Sequence, residues 1–140
     1  MYYLGIDLGG TNIAAGIVSE SMEIIVKGSV PTKREADYTE IIKDMAELGK
    51  KLIADAGLTT GDIGYIGIGS PGVCDRKNGI LLYANNIKFN DVPMAKEMQE
   101  HIPLPVYLEN DANCAALGES VAGAARDVSD SVTVTLGTGI

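Results

Sequence analysis

Leu4-Gly5-Ile6-Asp7-Leu8-Gly9-Gly10-Thr11-Asn12-Ile13-Ala14-Ala15-Gly16-Ile17-Val18 decides how this 140-residue chain is read. Apolar residues run up to Asp7 and resume at Ile13, with two glycines, a hydroxyl and an amide between them. The pattern predicts a strand, a turn and a second strand. Adjacent glycines permit φ > 0 and carry no Cβ, so a bulky group can approach the main-chain amides. Successive amides in such a turn form a concavity for an anion. Asp7, at the strand end, is badly placed for a bare phosphate but suits a hydrated Mg2+ that neutralises one. A plain β-hairpin with a Gly-Gly turn has the same outline. Asp7 before the glycines and Thr11 after them favour the phosphate reading.

Outward from this stretch, residues 2–7, 12–18 and 23–30 read as three strands rich in Ile, Val, Leu and Tyr. Their short connections predict antiparallel pairing. Ile41, Ile42, Met45, Leu48, Leu52, Ile53 and Ala56 fall on one face of a helix over 38–56, with Asp37 as N-cap and Gly57 as its stop. Residues 63–69 return as a strand parallel to the first, because a helix crosses between them. Gly67-Ile68-Gly69-Ser70-Pro71-Gly72 matches the dinucleotide pattern formally, but Pro71, Gly72, Asp75 and Asn78-Gly79 mark turns where that fingerprint needs a helix to open. A short strand over 80–83, a polar loop over 84–91, a helix opened by Pro93 and ending near His101, and a strand over 105–109 follow. A helix of small residues over about 111–124 comes next, where Gly118 points to close packing. Residues 131–136 read as a further strand, followed by Gly137-Thr138-Gly139.

Composition narrows the function classes. The chain is 46% hydrophobic and 21% charged, which is globular. A net charge of −8 with no basic cluster beyond Lys33-Arg34 or Lys50-Lys51 argues against a nucleic-acid surface. Cys74 and Cys114 have no zinc spacing and form no disulfide framework, so they read as free thiols of a reducing compartment. Neither a signal peptide nor an apolar run near membrane-spanning length is present, and a soluble cytoplasmic protein is expected. The single histidine, His101, has no partner at ligand spacing and reads as a capping or surface residue.

Asn110-Asp111, at a strand-to-helix junction, is the second candidate for chemistry. A carboxylate there, on the same sheet edge as Asp7, could accept a proton from a hydroxyl that attacks phosphorus. The ordinary use of Asn or Asp at such a junction is to cap the helix, and the residues alone leave both readings open.

Taken together these motifs resemble one family. Asp7-Leu8-Gly9-Gly10-Thr11 resembles the first phosphate loop of the actin-like, ribonuclease H-like ATPases, and most closely that of the ROK sugar kinases and sugar-responsive repressors. Leu108 to Glu119 resembles the ROK segment that carries the catalytic base, which falls on Asp111. Ser70-Pro71-Gly72-Val73 resembles the sugar-side loop, with Gly72 against the sugar. Asn85-Asn86-Ile87-Lys88-Phe89 resembles an Asn-Leu-Pro-Trp segment and puts a hydroxyl-binding amide at Asn86; Lys88 and Phe89 depart from the usual Pro and Trp. Leu136 to Ile140 resembles the start of a second phosphate loop.

The resemblance implies an α/β fold of the ribonuclease H-like, actin-like ATPase class: a mixed sheet of three antiparallel strands plus parallel strands, flanked by helices. Residues 1–128 would form an N-terminal lobe, and 129–140 the first strand and phosphate loop of a second lobe. It implies an ATP-dependent, glucokinase-type hexose kinase with Asp7 on Mg2+ through water. Gly9, Gly10, Thr11, Gly137, Thr138 and Gly139 would face the ATP phosphates, and Gly72, Asn86, Asn110 and Asp111 a hexose or N-acetylhexosamine. A structural zinc would belong to the second lobe only. The parent is expected to be a homo-oligomer, and this chain alone to be inactive. A ROK transcriptional regulator and a non-catalytic sugar-binding module are the alternatives. The lack of a basic recognition helix before the first strand favours the kinase.

Overall fold

Strict alternation explains where the central sheet forms. Leu4, Ile6 and Leu8 project to one face of the first strand and are buried, while Gly5 and Asp7 project to the other. In the computed structural model, which describes residues 1–136, this strand is β1 (Tyr2–Leu8). It pairs antiparallel with β2 (Asn12–Ser19), and β2 pairs antiparallel with β3 (Ile24–Pro31). Helix α1 (Tyr38–Asp55) then crosses over, and β4 (Ile63–Ser70) adds parallel to β1. The later strand β8 (Val106–Asn110) adds parallel to β4, completing a five-stranded mixed sheet in the order β3-β2-β1-β4-β8.

Helix α1 lies on the buried face. Ile41, Ile42, Met45, Leu48, Leu52 and Ile53 pack with Leu4, Leu8, Ile13 and Ile17 in one core. A Cβ at Gly49 would lie 2.7 Å from Leu4, so this glycine lets the helix sit close to the sheet. Burying each Leu or Ile side chain is worth about 1.5–3 kcal/mol. The helix begins at Asp37, whose carboxylate accepts from the Thr39 amide at 2.9 Å and the Thr39 hydroxyl at 2.8 Å. It stops at Gly57, whose φ is +69°.

Between β4 and β8 the chain departs from expectation. The sequence reads a short strand and a polar loop, whereas the chain folds a second, three-stranded sheet from β5 (Val73–Asp75), β6 (Ile80–Ala84) and β7 (Phe89–Val92). A 3-10 turn, Asn85–Ile87, joins β6 to β7. Polar Asn90 and Asp91 mask β7 in the sequence, but Phe89 and Val92 at its ends are buried with Leu81. Helix α2 (Met94–His101) adds Met94 and Met98 to the core. Helix α3 (Asp111–Ala122) follows β8 and has no buried residue among those described. Gly118 does not mark close packing: a Cβ there would meet nothing within 4 Å. Residues 131–136 form no strand either; they pair with no other strand among the described residues and lie exposed.

Candidate functional site

The turn after β1 is shaped by close approach. A Cβ on Gly9 would lie 2.7 Å from the Asn12 carbonyl oxygen, while neither Gly9 nor Gly10 adopts a left-handed φ. The Gly9 amide donates to the Asn12 carbonyl at 3.0 Å. Thr32, at the start of the β3–α1 connection, donates its hydroxyl to the Gly9 carbonyl at 2.7 Å and its amide to the Thr11 carbonyl at 2.8 Å. Among the described residues no protein acceptor takes the amides of Gly10 and Thr11. Those free donors are what an anion requires.

Asp7 stands one residue before the end of β1, level with Gly69 of β4, which is level with Glu109 of β8. Gly69 has no side chain at the place where α3 begins. A Cβ there would lie 3.4 Å from the Cys114 sulfur and 3.6 Å from the Asp111 Cα, so the gap seats the first turn of α3 beside the strand end. Asn110 is the cap of α3: its side-chain oxygen accepts from the amides of Ala112 at 3.0 Å and Asn113 at 3.2 Å. The adjacent Asp111 accepts from the Ala112 amide at 2.8 Å.

The electrostatics follow the geometry. Partial burial, and then the negative charge of Asp111, push the Asp7 carboxyl above its ordinary value. Asp7 keeps open surface and makes no hydrogen bond among the described residues, so none of them offsets that penalty. Glu109 is held low by the Asn113 side chain, the Asn110 amide and the Arg76 guanidinium, which it meets at 2.8 Å. Burial foremost raises the Cys74 thiol to about 11 and also raises Cys114. Both cysteines are free, and these shifts keep them protonated and poorly nucleophilic at neutral pH.

Two further loops meet this edge. Gly72 has φ +90°, and a Cβ there would lie 1.9 Å from the Tyr83 carbonyl oxygen, so only glycine fits the turn laid over β6. The Gly72 carbonyl accepts from the Asn110 side-chain amide at 3.1 Å. Asn86 lies in the 3-10 turn and packs on the phosphate-loop candidate: a Cβ on Gly10 would be 3.3 Å from the Asn86 Cβ.

The fold therefore brings Gly10 of the turn against Asn86 by direct packing, and joins Gly72 to Asn110 by a hydrogen bond and so to the adjacent Asp111. Asp7 and Asp111 also line one groove of about 1250 Å3 over the sheet face opposite α1; the other described candidates lie outside its lining. Gly137, Thr138 and Gly139 lie outside the described residues. Among the described residues no group of three His, Cys, Asp or Glu side chains could hold a metal. Asp7, with open surface and no hydrogen-bond partner among the described residues, fits a cation held through its water shell. Sequence reasoning missed Thr32, Glu109 and Gly69. Thr32 sits in a polar run whose burial is invisible in one dimension, and Gly69 is legible as the last residue of a strand over 63–69 but not as the gap that seats α3.

Comparison with known proteins places these features in context. The family model described as ROK family matches residues 3–140. The glucokinase of Thermotoga maritima is 39% identical over 98% of this chain and 42% of its own length. A putative xylose repressor of a Caldicellulosiruptor species is 35% identical over 98% of this chain and 34% of its own. Among solved structures, the ROK hexokinase from Thermus thermophilus matches with a TM-score of 0.80 at 37% identity, covering 91% of this chain and 41% of that one. The ROK glucokinase from Streptomyces griseus, in complex with glucose and AMPPNP, matches with a TM-score of 0.72 at 34% identity, covering 88% and 37%. The chain thus spans about two fifths of the length of the kinases it matches.

Proposed function

Because the chain belongs to the ROK family, an α/β family of actin-like sugar kinases and repressors, we propose that it is the N-terminal lobe of an ATP-dependent hexose kinase of the glucokinase type. The observation that carries this reading is the meeting of two features on one sheet edge: a turn with unpaired amides behind Asp7, and a carboxylate, Asp111, close enough to raise the Asp7 pKa.

In this proposal the amides of Gly10 and Thr11 bind phosphate oxygens, and Asp7 holds Mg2+ through water. Bound Mg·ATP supplies the transferable phosphoryl group with its charge partly neutralised. Asp111 accepts the proton of a sugar hydroxyl as that oxygen attacks phosphorus. The transition state is loose and the proton leaves late, so aiming the hydroxyl matters more than basicity. Asn110 keeps one N–H for a sugar oxygen, since its oxygen caps α3 and its other N–H holds Gly72. Gly72 and Asn86 would border the sugar, and Gly137, Thr138 and Gly139 would complete phosphate binding.

The rest of the proposal follows from the span of the match. Regular structure among the described residues ends with α3, which supports a lobe boundary near residue 128. No helix among them is long and apolar enough to cross a membrane, which is compatible with a cytoplasmic parent. A homo-oligomeric parent, and a zinc in the second lobe, belong to the same reading. The second reading, a sugar-responsive regulator, draws on the xylose repressor relative.

The test is phosphorylation of a panel of hexoses and N-acetylhexosamines by the whole protein with Mg·ATP. Turnover of one sugar is expected. Sugar binding without turnover of any panel member would overturn the kinase reading in favour of the regulator.

A further inference from the structure

We propose that Thr32 is a positioning residue for the phosphate-binding turn, its hydroxyl setting the Gly9–Gly10 peptide so that the Gly10 amide faces the nucleotide. The inference rests on the kinase reading and adds a residue that no sequence motif marks. Thr32 is 8% exposed, and it and Ser70 are the buried polar residues among those described. Its hydroxyl reaches 23 residues back to the Gly9 carbonyl at 2.7 Å, and its own amide holds the Thr11 carbonyl at 2.8 Å.

A trans peptide is planar, and its C=O and N–H point in opposite directions. A fixed Gly9 carbonyl therefore aims the Gly10 N–H away from Thr32, and a fixed Thr11 carbonyl does the same for the Asn12 N–H. Paired glycines have little intrinsic preference among backbone conformations. Without the hydroxyl, the Gly9–Gly10 peptide is free to rotate, and the amide loses its fixed aim. The same connection reaches the Asn86 loop through Glu35, which pairs with Lys88 at 2.5 Å. That pair is exposed at both ends and contributes little, so Glu35 is a suitable control.

The test uses the whole protein with three substitutions. Thr32→Val removes the hydroxyl and keeps both shape and backbone N–H; Thr32→Ser restores the hydroxyl; Glu35→Gln is the control. Thr32→Val is expected to weaken AMPPNP binding and raise the KM for Mg·ATP about tenfold, the scale of one lost buried hydrogen bond. The sugar KM should stay within about twofold, Thr32→Ser should lie near wild type, and Glu35→Gln should match it. If Thr32→Val does not fold, Thr32→Ala, which leaves room for water, is measured in its place. Unchanged nucleotide affinity in the hydroxyl-less variant overturns the assignment. So does a Ser variant as impaired as Val, or an equal rise in both KM values. Wild-type protein that binds no AMPPNP overturns the kinase reading and this assignment together. Wild-type binding with an unchanged variant overturns this assignment alone.

Discussion

Asp7 carries a pH signature set by its partial burial and by the charge of Asp111. Its folded-state pKa lies above the ordinary 3.8, so ionisation is penalised in the folded chain. The penalty is absent below 3.8, where folded and unfolded chains are both protonated, and it is complete once pH exceeds the raised value. Stability from this group is therefore lost as pH rises through that window. Asp7→Asn should raise the melting temperature at pH 7, and the gain should shrink towards zero at strongly acid pH. Thermal melts of both proteins across pH check the sign; a variant less stable at pH 7 contradicts it. Asn110 separates two jobs in one side chain. Asn110→Ala should lose the cap and cost about 1 kcal/mol. Asn110→Asp keeps the cap oxygen but not the N–H that holds the Gly72 carbonyl, so it should lower the melting temperature less than Asn110→Ala, which loses both, while still raising the sugar KM. Equal effects of the two substitutions on both measurements would refute that division.

The elements show what a sequence can and cannot carry. Helix α1 was legible because its apolar spacing, Asp37 cap and Gly57 stop all agree. The three-strand meander was legible because its turns are short and its strands alternate. Strands β5 and β7 were not, because three or four residues with polar centres carry no periodicity and gain their order from pairing with β6. Asp7, Gly72, Asn86 and Asp111 could be picked out because each belongs to a local motif. Thr32 and Gly69 act through partners 21 or more residues away in sequence, which no local pattern encodes. The small sheet also fixes the Gly72 turn. Gly72→Ala combines an unfavourable φ with a clash against the Tyr83 carbonyl and should destabilise by about 2 kcal/mol or more. Denaturant unfolding within about 0.5 kcal/mol of wild type would show that the turn relaxes instead.

At the scale of the whole molecule, the mixed sheet brings the ends of β1, β4 and β8 to one edge, and function in this account is a property of that edge. The chain covers about two fifths of the length of its kinase relatives, so the decisive experiment is set in the whole protein. Asp111 is proposed to accept the hydroxyl proton opposite a phosphate-binding turn, and the decisive experiment is single-turnover phosphoryl transfer by Asp111→Asn in the whole protein. With sugar and Mg·ATP saturating, the expected rate is roughly a hundred- to ten-thousand-fold below wild type, with sugar affinity within about tenfold. A transfer rate within about threefold of wild type would contradict it and return Asp111 to the helix terminus as a structural residue.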